Sequence, residues 1–443
     1  MHKVVLVLGA ATVWAQEPLA VRDAVRLALQ ANPTVVAASE SVQAAQSRLD
    51  QARAGKLPKL NYSESFTRSD NPVFVFGSLL TQHQFGEQNF AIGALNQPDA
   101  LNNFQSQLIL DQPLYDAGET RHALKAANLG RDLSQEDARN VRMKTIAGAA
   151  RAYYDTVLAA ESLKTAEQAV RSAEADLGRA ENVRAAGLST DVDVLSIRVH
   201  LANVTEQRIR RAADLDVARA ALNDALGLSL DTPHILTTVL TPADLPEMEL
   251  AGLERDAARD RPEIRESHLA ASLAQTQADA ARSALLPQVS FRSMVEADRQ
   301  RFVTRGGANW LASVSLRWNL FNGFSDKSRI EEASHFLRRA EAESQRADSA
   351  VRLQARRAYA DLRAAEQRIE VARAAVAEAQ ESLRITQNRY EAGMSNVTDL
   401  LRNETAVLES NTRYLAAVHD QRVAALMVEF AAGRLAADSE VLN

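Results

Sequence analysis

The sequence predicts a mostly α-helical chain with a membrane β-barrel portion, built from two copies of one unit. Three observations predict it. Residues 325–392 contain neither Gly nor Pro, and their counterpart 119–186 lacks Pro. Four short runs alternate apolar and polar side chains with period two. The same landmarks then recur at a fixed offset, and internal repeats decide architecture.

The chain has 443 residues, 51 Lys+Arg, 57 Asp+Glu and no cysteine. A net charge of −6 gives no basic footprint for nucleic acid. Without cysteine there are no disulfides, thiolate metal sites or Cys nucleophiles. Aromatics make up only 5% of the chain, as expected for long helices and coiled coils.

At the amino end, Lys3 precedes the apolar run from Val4 to Ala11, and Val13-Trp14-Ala15 fits a cleavage site. Residues 1–15 therefore read as a secretory signal peptide. The first repeat, 16–227, should hold two helices, a β-hairpin at 57–112 and long helices at 119–186 and 188–226. A linker at 228–248 follows. The second repeat, 249–433, should hold two helices, a hairpin at 286–320 and long helices at 325–392 and 394–432. Residues 434–443 form a tail.

The duplication rests on named pairs. Pro33 matches Pro262, and Leu57-Pro58 matches Leu286-Pro287, both 229 apart. Gly118 matches Gly323 at 205, while Gly187 matches Gly393 and Gly227 matches Gly433 at 206. The drop in offset gives the first hairpin about 24 extra residues, so its outer loop, 67–103, should exceed the second, 298–309. Val73, Phe74, Val75, Phe76, Leu79 and Leu80 make that loop apolar enough to fold against the barrel mouth.

A helix of 68 residues at about 1.5 Å per residue is on the order of 100 Å long. Its stripe runs Val351, Ala355, Ala358, Leu362, Ala365, Ile369, Ala372, Val376, Ala379 and Leu383. Alternating steps of four and three make a heptad. Small alanines on that seam suit close packing of helices.

In the strands, Trp310, Ala312, Val314, Leu316, Trp318 and Leu320 alternate with Ser313, Ser315, Arg317 and Asn319. Val289, Phe291, Val295 and Ala297 alternate similarly, as do Phe104, Ser106, Leu108 and Leu110. Leu60, Tyr62 and Phe66 do so more weakly, because Glu64 interrupts them. Runs of about 10 residues suffice for tilted membrane strands. Trp310, Trp318, Phe321 and Tyr115 stand near strand ends, where an aromatic girdle belongs. Any one run alone also fits an amphipathic sheet on a soluble core. Four strands cannot close a barrel, and lipid tolerates no open edge, so if these strands span a membrane several chains must pool theirs. Three would give twelve strands.

Catalytic chemistry finds no footing. No two histidines stand three or four apart on a helix, and there is no Gly-rich phosphate loop followed by Lys-Ser/Thr. Neither a cofactor nor a metal is expected. Tyr153, Tyr154 and Tyr359 read as helix packing.

The order and duplication of these motifs resemble the TolC-type outer membrane efflux proteins, from about Leu19 to Leu435. The carriers are Pro33 and Pro262, Leu57-Pro58 and Leu286-Pro287, and Pro113-Leu114-Tyr115-Asp116-Ala117-Gly118 with Leu320-Phe321-Asn322-Gly323. Two turns complete them: Ala186-Gly187-Leu188-Ser189 with Asp193-Val194-Leu195, and Ala392-Gly393-Met394-Ser395 with Asp399-Leu400-Leu401.

The resemblance implies a homotrimer: a twelve-stranded outer-membrane barrel in lipid, joined to a long periplasmic α-helical barrel. It implies a passive exit duct served by a periplasmic adaptor and an inner-membrane transporter. The tips Gly187, Leu188, Ser189, Gly393, Met394 and Ser395 would then dock the adaptor. A gate would form from Asp399, Arg402, Tyr390 and Asp193. The family's best-known member has two aspartates three apart at its entrance; here Asp399 matches the first and Arg402 replaces the second. Ser395 stands where that member has an arginine, and no cysteine is available for a lipid anchor. Two alternatives remain: a protein-secretion conduit, and a periplasmic coiled-coil protein with no pore.

Overall fold

The computed structural model describes residues 18–186, 190–246, 248–304 and 306–442. The expected signal peptide lies outside them. In chain order the elements are β1 (Pro18–Leu19), α1 (Val21–Ala31), α2 (Pro33–Ala54), β2 (Lys59–Ser69), α3 (Pro72–Thr81), α4 (Ile92–Asn96), β3 (Leu101–Tyr115), α5 (Glu119–Ala185) and α6 (Asp191–Leu226). There follow β4 (Ile235–Leu236), α7 (Leu250–Asp260), α8 (Pro262–Ser283), β5 (Gln288–Arg299), β6 (Gly307–Arg317), α9 (Ser325–Glu391) and α10 (Val397–Ala432). Among the described residues no helix is long and apolar enough to cross a membrane. The described contacts divide into two units.

The first unit comprises 18–41, 135–266 and 344–442. Its largest core joins Val21, Val25 and Ala28 of α1 to Met143, Ile146 and Tyr153 of α5, Leu222 and Leu226 of α6, and Val418, Leu426 and Phe430 of α10. A second core sets Leu253 and Ala257 of α7 against Val351, Ala355, Ala358, Leu362 and Ala365 of α9, closed by Ala425 and Val428 of α10. The heptad stripe is thus buried as far as Ile369, and from Ala372 to Leu383 it is half-buried. Tyr153 and Tyr154 are fully buried, and Tyr359 packs on the second core. The Tyr153 hydroxyl donates to the carbonyl of Leu19 at 2.7 Å and accepts from the Thr238 amide at 3.2 Å, so its polar end is satisfied.

Both closing glycines stop their helices in the left-handed region. Gly227 has φ 75° and Gly433 φ 77°. After each, the next amide reaches back: Leu228 to Asn223 O at 2.9 Å and Arg434 to Glu429 O at 3.1 Å. Arg261, which is 2% exposed, fills the space beside the second stop. It pairs with Glu263 at 2.7 Å, donates to Phe430 O at 2.9 Å and stacks over the Phe430 ring at 4.6 Å. In the first repeat the shorter Asn32 does the same work, donating to Ala225 O at 3.0 Å.

The second unit, 42–134 and 267–343, holds one antiparallel sheet in the order β2-β3-β5-β6. Pairing places Tyr62 opposite Leu108, Leu108 opposite Val295 and Val295 opposite Trp310. That row and its neighbours Leu60, Phe66, Val314 and Leu316 form one exposed apolar face. The opposite face carries Gln105, Gln107, Glu296 and Asn309. Glu64, the interruption in the apolar row, is paired with Arg299 at 2.9 Å and accepts from the Tyr62 hydroxyl at 2.8 Å. Trp318 donates its indole N–H to Leu285 O at 3.0 Å.

Two expectations need correction. The first outer connection spans 70–100, not 67–103, and the second 300–306, not 298–309, because ladder pairing continues further than the polar composition implied. The first connection is also not a plain loop. Asn71 caps α3 by accepting from the Val73 and Phe74 amides, and Phe76, Phe85 and Phe90 stack edge to face.

Candidate functional site

The first unit presents the two helix turns that carry most of the sequence-predicted site residues. Gly187, Leu188 and Ser189 lie outside the described residues. At the other turn, Gly393 has φ 71°, with open space around it. The Met394 amide donates to Arg389 O at 2.7 Å, so the turn is a left-handed helix stop like those at the repeat ends. Met394 is 65% exposed, and Ser395 donates to Asp399 Oδ2 at 3.4 Å.

Asp399 and Asp193 occupy equivalent places in the two repeats. Each is the third residue of a first turn whose preceding cap bonds its amide. Asn396 Oδ1 accepts from Asp399 N at 2.8 Å, and Thr190 Oγ1 accepts from Asp193 N at 3.2 Å. Asp193 also returns the bond, accepting from Thr190 N at 3.2 Å to close a capping box. Both carboxylates face the positive end of a helix, which favours their charge. Arg402, largely solvated, lies 3.9 Å from the half-buried Asp399 on the same helix face. A cleft of about 530 Å³ beside them is lined by Thr386, Arg389, Met394, Asp399, Arg402 and Asn403. Asn403 ties α10 to α9 by donating to Thr386 Oγ1 at 3.0 Å and accepting from Ser382 at 2.8 Å.

Tyr390 packs on the small core of Ala180, Val194, Ile197 and Val397. Burial raises its hydroxyl pKa, and the negative charges of Asp193 and Asp176 raise it further. The structure therefore brings Tyr390 and Asp193 into one electrostatic neighbourhood, with Asp399 and Arg402 as a separate pair at the next turn.

Sequence reasoning missed a buried carboxyl pair further along the same helices. Asp176 of α5 is 3% exposed and contacts Arg179. Glu404 of α10 accepts from Ser172 at 3.1 Å and lies 3.2 Å from His200 Nε2 of α6. Burial and then Glu404 push the Asp176 pKa up to about 7, against the pull of Arg179. Burial would also raise Glu404, but His200, Asp176 and Ser172 outweigh it and hold that carboxyl below its ordinary value. Of the two carboxyls, Asp176 therefore holds its proton to the higher pH. A signal existed: Asp176 falls among Val170, Ala173 and Ala180, a buried seam where a carboxylate is out of place.

Among the described residues no group of three or more His, Asp or Glu side chains is placed to hold a metal ion.

Comparison with known proteins fits this geometry. Two stretches, residues 24–228 and 253–434, match the outer membrane efflux protein family. The chain is 30% identical over 341 residues to Protein CyaE of Bordetella pertussis, covering 76% of this chain and 72% of that one. It is 25% identical over 422 residues to the outer membrane efflux protein BepC of Brucella suis, covering 90% and 89%. The fold superimposes on the Campylobacter jejuni CmeC outer membrane channel with a TM-score of 0.81 at 17% identity, covering 97% of this chain and 92% of that one. Two matched repeats, one membrane-type sheet and paired long helices place the chain in the outer membrane efflux protein family.

Proposed function

We propose that three copies form a passive exit duct, with twelve pooled strands crossing the outer membrane and the long helices forming a periplasmic barrel. The observation that carries this reading is the four-stranded sheet. One of its faces is apolar and exposed, the other is polar, and among the described residues its edge strands β2 and β6 have no partner on their outer sides. In lipid an unpaired edge costs several kcal/mol per group, about what an unsatisfied amide costs in hydrocarbon. A pore-free coiled-coil protein has no use for that sheet. Export by residues 1–15, the absence of a lipid anchor, and docking to a periplasmic adaptor and inner-membrane transporter belong to the same proposal. The detergent-solubilised protein should have the mass of three chains and conduct ions in planar bilayers. A mass of one or two chains, or no conductance, would overturn the reading.

Within that duct, Asp399 and Arg402 form a mixed-sign ring at the periplasmic end, while Tyr390 and Asp193 brace the neighbouring turn. The tips, both 187–189 and 393–395, receive the adaptor. Asp399→Ala should weaken block of single channels by divalent cations, and Arg402→Ala should strengthen it, because each removes one sign from the ring. Tyr390→Phe should raise resting conductance. If block and conductance stay the same in all three, these residues serve only the helix turns.

A further inference from the structure

The first outer connection is docked onto the polar face of its own sheet. Gln82, just after α3, donates to Asn103 Oδ1 at 2.9 Å and to Asn102 O at 3.0 Å. Asn103 in turn donates to Asp298 Oδ1 at 2.6 Å. All three side chains are buried, Asp298 completely. Asn309 on β6 donates to Thr81 O at 3.3 Å. The receiving strands are shaped for this contact: a Cβ on Gly307 would sit 1.9 Å from Thr81 O. Val75 and Ser78 of α3 are buried, whereas Val73, Phe90 and Ile92 are 81%, 64% and 78% exposed.

Alternation decides which side of the sheet this is. Asn103, Asp298, Gly307 and Asn309 alternate with Phe104, Ala297, Ala308 and Trp310. A barrel strand turns its apolar side chains to lipid and its polar ones inward. A segment latched to the polar face is therefore inside the barrel.

We propose that residues 70–100 are a lumenal plug at the outer mouth, latched by Gln82, Asn103 and Asp298, which narrows the exit with the exposed apolar side chains Val73, Phe90 and Ile92. The inference rests on the trimeric barrel reading. The plug selects cargo at the exit by size and polarity, independently of the helix tips. Amphiphilic and apolar solutes wet such a constriction better than large hydrophilic ones do.

The test uses the full chain in planar bilayers. Replacing residues 73–98 with a short Gly-Ser linker should at least double single-channel conductance, and Asp298→Ala should produce frequent transitions to the same high level. Because the chain has no cysteine, Ile92→Cys gives one addressable thiol without deleting anything. A membrane-impermeant, positively charged methanethiosulfonate added on the outer side should change its conductance. Mass measurement separates the possible failures. Trimers with unchanged conductance in both the linker variant and the modified cysteine variant would overturn the plug alone. Monomers throughout would overturn the barrel reading and the plug with it.

Discussion

Alanine at Gly433 should cost the first unit about 2–5 kcal/mol, from a left-handed φ that L residues adopt at a penalty and from overpacking against backbone. Its Cβ would lie 2.7 Å from the Asp260 carbonyl carbon and 2.8 Å from Arg261 N. Neither atom is free to retreat, because Arg261 is fixed by Phe430 O and Glu263. Gly227→Ala should behave alike, with its Cβ 2.7 Å from Ala31 O and Asn32 Cα. Gly393 supplies the control. It has the same sign of φ but nothing within 4 Å, so Gly393→Ala should cost only about 1–2 kcal/mol. Denaturant midpoints of the three variants check this order. Equal losses would mean that backbone conformation alone, not the close approach, demands the glycine.

Asparagine at Asp176 should stabilise the protein above neutral pH and flatten its pH dependence. The folded-state pKa of Asp176 is raised from 3.8 to about 7, so its contribution is fully present below about pH 4 and is lost as pH rises through 7. Above that window two buried carboxylates on α5 and α10 repel each other. Asparagine keeps a donor toward Glu404 and never ionises. The expected gain at pH 8 is on the order of 1–3 kcal/mol, the usual penalty for a buried polar group without its proper partner. At pH 4 the variant should match the parent. Unfolding midpoints at both pH values, for parent and variant, decide it. Parallel pH profiles would show that the Asp176 carboxyl is not raised in the folded protein.

These two sites differ in how legible they were. The glycine stops, the heptad stripe from Val351 to Ile369 and the strand alternation around Trp310 repeat in sequence because each follows from local geometry. The fold class was readable for that reason. The helices within 70–100 were not, since the run Val73 to Phe76 is apolar on all sides and has no period. The Asp176–Glu404 pair joins residues 228 apart through packing that no spacing reveals. Asp193 and Asp399 were readable only as positions matching a family motif. The structure adds that both are bonded into the first turns of their helices, so replacing either disturbs a cap as well as a charge.

The unpaired edges of β2 and β6 have a consequence for the cell that makes this protein. If three chains pool their strands as proposed, no sheet is finished until its neighbours join, so assembly and membrane insertion would be a single event. Each chain would offer two edges to two different seams, and one misregistered edge would spoil one of the three seams and with it the closed barrel. In a cell expressing a damaged allele beside an intact one, working ducts would fall as the cube of the intact fraction. Lesions that leave an edge able to join but out of register should therefore act dominantly, whereas lesions that stop a chain from folding remove it before assembly and should be recessive.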